Sequence, residues 1–254
     1  MKASDSKGGA GAGSGAASGA IGKGVSPTQS GHRETFEKVK TARGRKSSST
    51  RWLQRQLNDP YVAEARRQGF RSRAAFKLTE MDDRFGLLKP GATVVDLGAA
   101  PGGWTQVAVK RVGAEGRNAK GRVVGIDILD WDAVPGAVTL IGDFLDPEAP
   151  DRIRDALGGT LANLVISDMA AATTGHRATD HIRTVSLAQA AWDFAETILA
   201  PGGGFVCKVF QGGTEQSLLD AVKARCSKVR HVKPPASRSE SPELYLVATG
   251  FQPN

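Results

Sequence analysis

The 254 residues, 40% apolar and 24% charged, are enough for one α/β domain with a substantial core. No apolar run approaches membrane-spanning length, which argues against a membrane protein. The two cysteines, Cys207 and Cys226, are too few for a disulfide scaffold, which points to the reducing cytoplasm.

The net charge of +8 sits at one end. Residues 1–57 hold 11 basic and 3 acidic side chains, whereas the remaining 23 and 23 cancel. Gly8 to Gly24, "GGAGAGSGAASGAIGKG", cannot bury enough apolar surface to fold. It also lacks the apolar centre of a secretory signal. Residues 1–49 are therefore expected to be a disordered, increasingly basic arm, with the folded domain spanning 50–254. Such an arm on a neutral body suits a protein that must find a polyanion.

Along the domain, "FRSRAAFKLTEMDDRFGLL" places Ala75, Phe76, Leu78, Met81 and Phe85 at helical spacing, with Ser72 as its N-cap. "ATVVDLGAA" is a strand entering a Gly-rich turn, and "WTQVAVKRV" a helix. "GRVVGIDIL", "AVTLIGDF" and "LANLVISDMA" are three more strands. The long helix "DHIRTVSLAQAAWDFAETIL" stops at the Pro-Gly breaker "APGGG". Then come the strand "FVCKVF", the helix "TEQSLLDAVKARC" and the strands "KVRHVKP" and "LYLVATGF". Strands alternating with helices imply a parallel sheet with helices on both faces. No crossover helix fits between Pro234 and Glu243, so the last two strands should pair antiparallel. The expected fold is the class I methyltransferase (Rossmann-like) architecture, seven strands with an antiparallel last one.

"DLGAAPGGW", Asp96 to Trp104, lies at the carboxyl end of the first strand, where open α/β sheets bind ligands. Its spacing departs from G-x-G-x-x-G, which disfavours a pyrophosphate-bearing nicotinamide cofactor. Asp127 and Asp143 end the second and third strands, suited to ribose hydroxyls and an adenine amino group. A compact nucleoside cofactor fits these groups, and S-adenosyl-L-methionine is the expected one.

Lys208 interrupts the apolar strand "FVCKVF", although lysine is seldom buried without compensation. Asp168 ends the neighbouring strand, Lys77 lies on the helix before the first strand, and Glu243 immediately precedes the seventh. All four are expected to converge on one cleft. Methylation of a hydroxyl needs a proton acceptor. Burial and a second ammonium favour a neutral lysine, whereas neighbouring acids favour a charged one. The residues thus leave open whether Lys208 takes the proton or only holds the oxygen.

"FRSRAAFKL", "VVDLGAAPGGWTQVA", "SDMA", "LAPGGGFVCKVFQG" and "SRSESPELYLVATG", spanning about Asp59 to Gly250, together resemble the FtsJ-type ribosomal RNA 2′-O-ribose methyltransferases. The resemblance implies a catalytic tetrad of Lys77, Asp168, Lys208 and Glu243, with Lys208 as proton acceptor. It also implies cofactor contacts at Gly102, Trp104, Asp127, Asp143 and Asp168, and no metal. The bacterial members act on a uridine of large-subunit ribosomal RNA in the assembled or nearly assembled subunit. The same is expected here, from a monomer with no membrane partner. A 2′-O-methyltransferase of transfer RNA or an mRNA cap, or a non-catalytic assembly factor on this scaffold, are the alternatives.

Two departures stand out. "DMAAATTG" replaces the family's "DMAPN", and Glu240 competes with Glu243 for the fourth place. Glu243 is preferred because it directly precedes the strand. Basic residues in Arg66–Lys77 and Lys228–Arg238 are expected to flank the cleft as a groove for a phosphate backbone.

Overall fold

The computed structural model describes residues 47–171, 175–211 and 216–253. The Gly/Ala/Ser-rich arm to residue 46 and the variant loop at 172–174 lie outside the described residues. The chain runs α1 (Ser47–Leu57), α2 (Pro60–Arg67), α3 (Ala74–Phe85), β1 (Thr93–Leu97), α4 (Gly103–Val112), β2 (Arg122–Asp127) and β3 (Ala137–Ile141). It continues with α5 (Ala149–Leu157), β4 (Ala162–Ser167), α6 (Arg177–Ile198), β5 (Leu199–Phe210), α7 (Gln216–Arg225), β6 (Cys226–Val232) and β7 (Glu243–Phe251).

The seven strands form one sheet in the order β3-β2-β1-β4-β5-β7-β6. Pairing is parallel from β3 across to β5 and antiparallel on both sides of β7. The expected class I methyltransferase topology is present, with β7 inserted between β5 and β6.

Strand alternation divides the core in two. Val95, Leu97, Val165, Phe205 and Cys207 join Trp192 of α6, Ile153 of α5 and Leu218 of α7 on one face. Val94, Ile166, Val206 and Tyr245 join Leu78 of α3 and Val107 of α4 on the other. Fully burying one such large apolar side chain contributes roughly 1.5–3 kcal/mol. Both cysteines are free and buried within the first of these layers.

Several local expectations change. Ser72 does not cap α3; Arg73 occupies the N-cap position without a side-chain bond, and Ser72 Oγ is buried without a partner. The "APGGG" segment does end α6, but its residues continue extended as the start of β5. Regular pairing with β4 is established at Leu164↔Gly204, after an irregularity. The helices α1, α2 and α5 carry no counterpart among the expected elements. The start of α2 has a clear local cause: Asp59 accepts from Tyr61 N at 3.1 Å, and Pro60 follows it at the first helical position.

Candidate active site

The tips of β4, β5 and β7 bring together Lys77, Asp168, Lys208 and Glu243. Alternation puts Lys208 on the face of Val206, which is the face covered by α3. The chain places Lys208 two residues before the end of β5, not at it, because pairing with β7 continues to Phe210↔Glu243. Glu243 is likewise the first residue of β7 rather than its predecessor.

Lys208 is only 8% exposed. Its amine donates to the Asp168 backbone carbonyl at 2.6 Å and to Asp168 Oδ1 at 3.0 Å. Lys77 Nζ pairs with Glu243 Oε1 at 2.6 Å and donates to the Tyr245 hydroxyl at 3.2 Å. Tyr245 stands directly opposite Lys208 in the ladder and donates to Asp168 Oδ1 at 2.8 Å. One phenol therefore joins the two lysine–carboxylate pairs into a single chain of hydrogen bonds. Ser237 completes it, donating to Glu243 Oε1 at 2.9 Å. Glu240 is exposed and bonded by Ser239, whereas Glu243 is the acid paired with Lys77.

The electrostatics follow from this geometry. Burial alone would raise the Asp168 carboxyl, but the charges of Lys208 and Lys77, with hydrogen bonds from Lys208 and Tyr245, hold it below its usual range. Burial, then the charges of Asp168 and Glu243, push the Tyr245 phenol well above its usual value, so it stays a hydrogen-bond donor.

The Gly-rich turn between β1 and α4 lies beside this cluster. Gly98 has φ +80°, and a Cβ there would stand 2.7 Å from Met169 Cγ and 2.9 Å from its backbone. Gly102, at φ +106°, is the N-cap of α4. The first-turn N–H groups of α4 lack partners within the helix and offer donors to a ligand. Asp127 accepts from Ala100 N at 2.9 Å with Oδ2 and from Leu129 N at 2.8 Å with Oδ1. It thus braces the turn while keeping a further lone pair on each oxygen for hydroxyl donors. Asp143 lies two residues beyond β3 and accepts from Leu145 N at 2.9 Å.

Residues 70–251 match the FtsJ-like methyltransferase family. The chain belongs to that family. Ribosomal RNA large subunit methyltransferase E of Rhodospirillum rubrum is 63% identical over 91% of this chain and 86% of its own length. The protein of the same name from Azorhizobium caulinodans is 57% identical over 89% of this chain and 93% of its own. Among solved structures, a Plasmodium falciparum chain described as a ribosomal RNA methyltransferase superposes with a TM-score of 0.65. It shares 27% identity, and the match covers 73% of this chain and all of that one.

Three features of this FtsJ-like methyltransferase differ from what its sequence leads one to expect. Tyr245 fits the apolar pattern of its strand, and its position two residues after Glu243, on the same face, is the signal the sequence offers. The Trp104 indole is buried, donates to the Ala74 carbonyl at 2.8 Å and packs against Tyr245 at 5.5 Å. Only the main chain of Trp104 is thereby left for a cofactor. Arg71, grouped with the RNA contacts, donates to the carbonyls of Pro101, Asp132 and Ala133, latching the Gly-rich turn to the β2–β3 loop.

Asp96 is a further group without an assigned part. It is fully buried, accepts from Thr105 Oγ1 at 2.7 Å, and its Oδ1 has no partner. Burial pushes its carboxyl up to about 7; the charges of Asp168 and Asp127 push the same way, and the Thr105 bond opposes them.

Proposed function

We propose that this methyltransferase transfers a methyl group from S-adenosylmethionine to the ribose 2′-hydroxyl of a uridine in large-subunit ribosomal RNA. The observation that carries the reading is the chain Lys77–Glu243, Tyr245, Asp168–Lys208 beside the Gly-rich turn. The high identity to proteins named ribosomal RNA large subunit methyltransferase E supports the substrate.

The residues at the turn fit S-adenosylmethionine. Exposed Ile128, Leu129 and Leu145 offer apolar surface for an adenine beside the two acids. Gly102 and the Trp104 main chain would face the amino-acid end, Asp127 the ribose, Asp143 the adenine amino group, and Asp168 the reacting end. When bound, the cofactor supplies an electrophilic methyl sulfonium, whose S–C bond breaks as the new O–C bond forms.

The chain's own task is the proton. We assign it to Lys208: as a neutral amine its nitrogen accepts the 2′-hydroxyl proton, and Asp168 holds the resulting ammonium. Lys77, held by Glu243 and Tyr245, presents its remaining N–H to the acceptor oxygen. General-base help of this kind contributes about 10²–10⁴-fold.

Radiolabelled methyl transfer to undermethylated large subunits tests the reading. The parent should label them, and a 2′-deoxy target nucleotide should abolish labelling. Lys208→Ala and Lys208→Arg should both lose at least about 100-fold in kcat while still binding S-adenosylmethionine. Arginine keeps the charge but cannot accept a proton. Retained turnover in Lys208→Arg would refute the base assignment, and absence of labelling by the parent would refute the substrate.

A further inference from the structure

A cavity of about 1260 Å³ has no residue of the Gly-rich turn in its lining. It lies between the α1–α2 segment and the β6–β7 loop. Its wall carries Arg55, Arg73, Lys233 and Arg238 against only two acids, Asp59 and Glu240. Asp59 is already engaged by both Arg73 and Arg238. A positive excess therefore faces the open space. Tyr61 also lines it, with its ring fixed against Phe76 at 5.5 Å and its hydroxyl donating to Glu80 Oε1 at 3.2 Å. The volume exceeds the roughly 300–1,000 Å³ of small-molecule sites. Cationic groups beside an aromatic ring and side-chain amides form a surface suited to single-stranded RNA, phosphates on the guanidinium groups and bases on the ring.

The cavity adjoins the reacting end. Ser237, on its wall, holds the same Glu243 oxygen that pairs with Lys77. Arg73, also on the wall, precedes Lys77 by one helical turn and donates to the Ala236 carbonyl of the β6–β7 loop. A strand whose target ribose reaches Lys77 and Lys208 would continue naturally into this space.

We propose that this cavity is a subsite for the RNA nucleotide next to the methylated one, with its phosphate on Arg55 and Arg238 and its base against Tyr61. The proposal rests on the RNA-methylating function above and adds where the strand leaves the catalytic residues. It enlists Arg55 of α1, and of the basic segment before Lys77 it uses Arg73 rather than Arg71.

The test is the salt dependence of binding of fluorescein-labelled hexauridylate to the full chain, followed by anisotropy. Arg55→Ala, Arg238→Gln and their combination are compared with the parent. A Lys110→Ala/Lys223→Ala pair removes equal charge from exposed sites outside the cavity. Each cavity substitution should lower the slope of log affinity against log salt by about 0.7, and the pair by about 1.4. The pair should also weaken binding about tenfold at 0.1 M salt, whereas the control pair changes neither. S-adenosylmethionine affinity, by calorimetry, should be unaltered throughout. Should Arg238→Gln disturb the fold, exposed Arg55 alone carries the test. A parent-like slope in the cavity variants, or an equal fall in the control pair, overturns the subsite. A parent that binds through the cavity yet labels no subunits refutes the proposed reaction and leaves the cavity as an RNA-binding site without a methylated neighbour.

Discussion

Replacing Asp96 by Asn tests the electrostatic account of the site independently of any substrate. Asp96 carries a folded-state pKa of about 7 against 3.8 for the free side chain, because burial disfavours its ionised form. Between those values the unfolded chain has released a proton that the native chain retains. Stability therefore falls as pH rises, by about 1.36 kcal/mol per pH unit from this group, and by about 4 kcal/mol in total as an upper figure. The penalty is absent below about pH 4 and fully present above about pH 7. Asparagine keeps the shape and an oxygen for Thr105 but has no proton to lose. Its amide introduces a pH-independent offset, because the position of the orphaned Oδ1 stays unpaired. The quantity to follow is the stability difference between Asp96→Asn and parent, from urea unfolding at several pH values between 4.5 and 7.5. All other titrating groups are common to both proteins and cancel. The difference should move in favour of Asp96→Asn by a few kcal/mol across that range. Parallel pH profiles would show that Asp96 is ionised in the fold at every pH tested, and the account of its environment would be wrong.

Tyr245→Phe removes the hydroxyl linking Lys77 to Asp168 but keeps the ring against Trp104. Losing a hydrogen bond to a charged group costs about 1.5–3 kcal/mol, so kcat should fall roughly 10–100-fold with cofactor affinity nearly unchanged; an unaltered kcat would remove the phenol from the mechanism. Gly98→Ala forces a Cβ onto the Met169 backbone at positive φ. It should cost more than about 2 kcal/mol in urea unfolding and weaken S-adenosylmethionine binding, both measurable on one preparation, and a neutral result would mean the turn tolerates a side chain.

Much of the site was legible because its residues interrupt patterns. A lysine inside "FVCKVF" and acids at consecutive strand ends are visible without a structure, as is the short connection that makes the final pair antiparallel. What stayed hidden depends on side-chain direction. Tyr245 matches the apolar pattern of its strand, and only its spacing from Glu243 points its hydroxyl toward the cleft. Trp104 lies in the expected ligand turn, yet the start of α4 turns its indole toward α3. Arg71 and Arg73 look alike in the basic segment, but one latches a turn and the other bridges Asp59 and the β6–β7 loop. The helices α1 and α2 fall almost wholly inside the expected domain, but they are short, and too brief an apolar period marks them as helices. The cap at Ser72 failed because its hydroxyl is enclosed against α4, where a Cβ on Gly103 would stand 2.4 Å from it.

The insertion of β7 between β5 and β6 bears on how the protein comes into being. The strand β7, which follows β6 in the chain, supplies Glu243 and Tyr245, closes the open edge of β5 and is the strand to which β6 pairs. A nascent chain that has emerged only as far as β6 has the Gly-rich turn and both lysines but neither the bridge between them nor a continuous sheet. Its exposed β5 edge would invite pairing with other chains. Joining of the two lysines and closure of the β5 edge thus depend on the same strand. Truncation before Glu243 should yield insoluble protein rather than a weak enzyme.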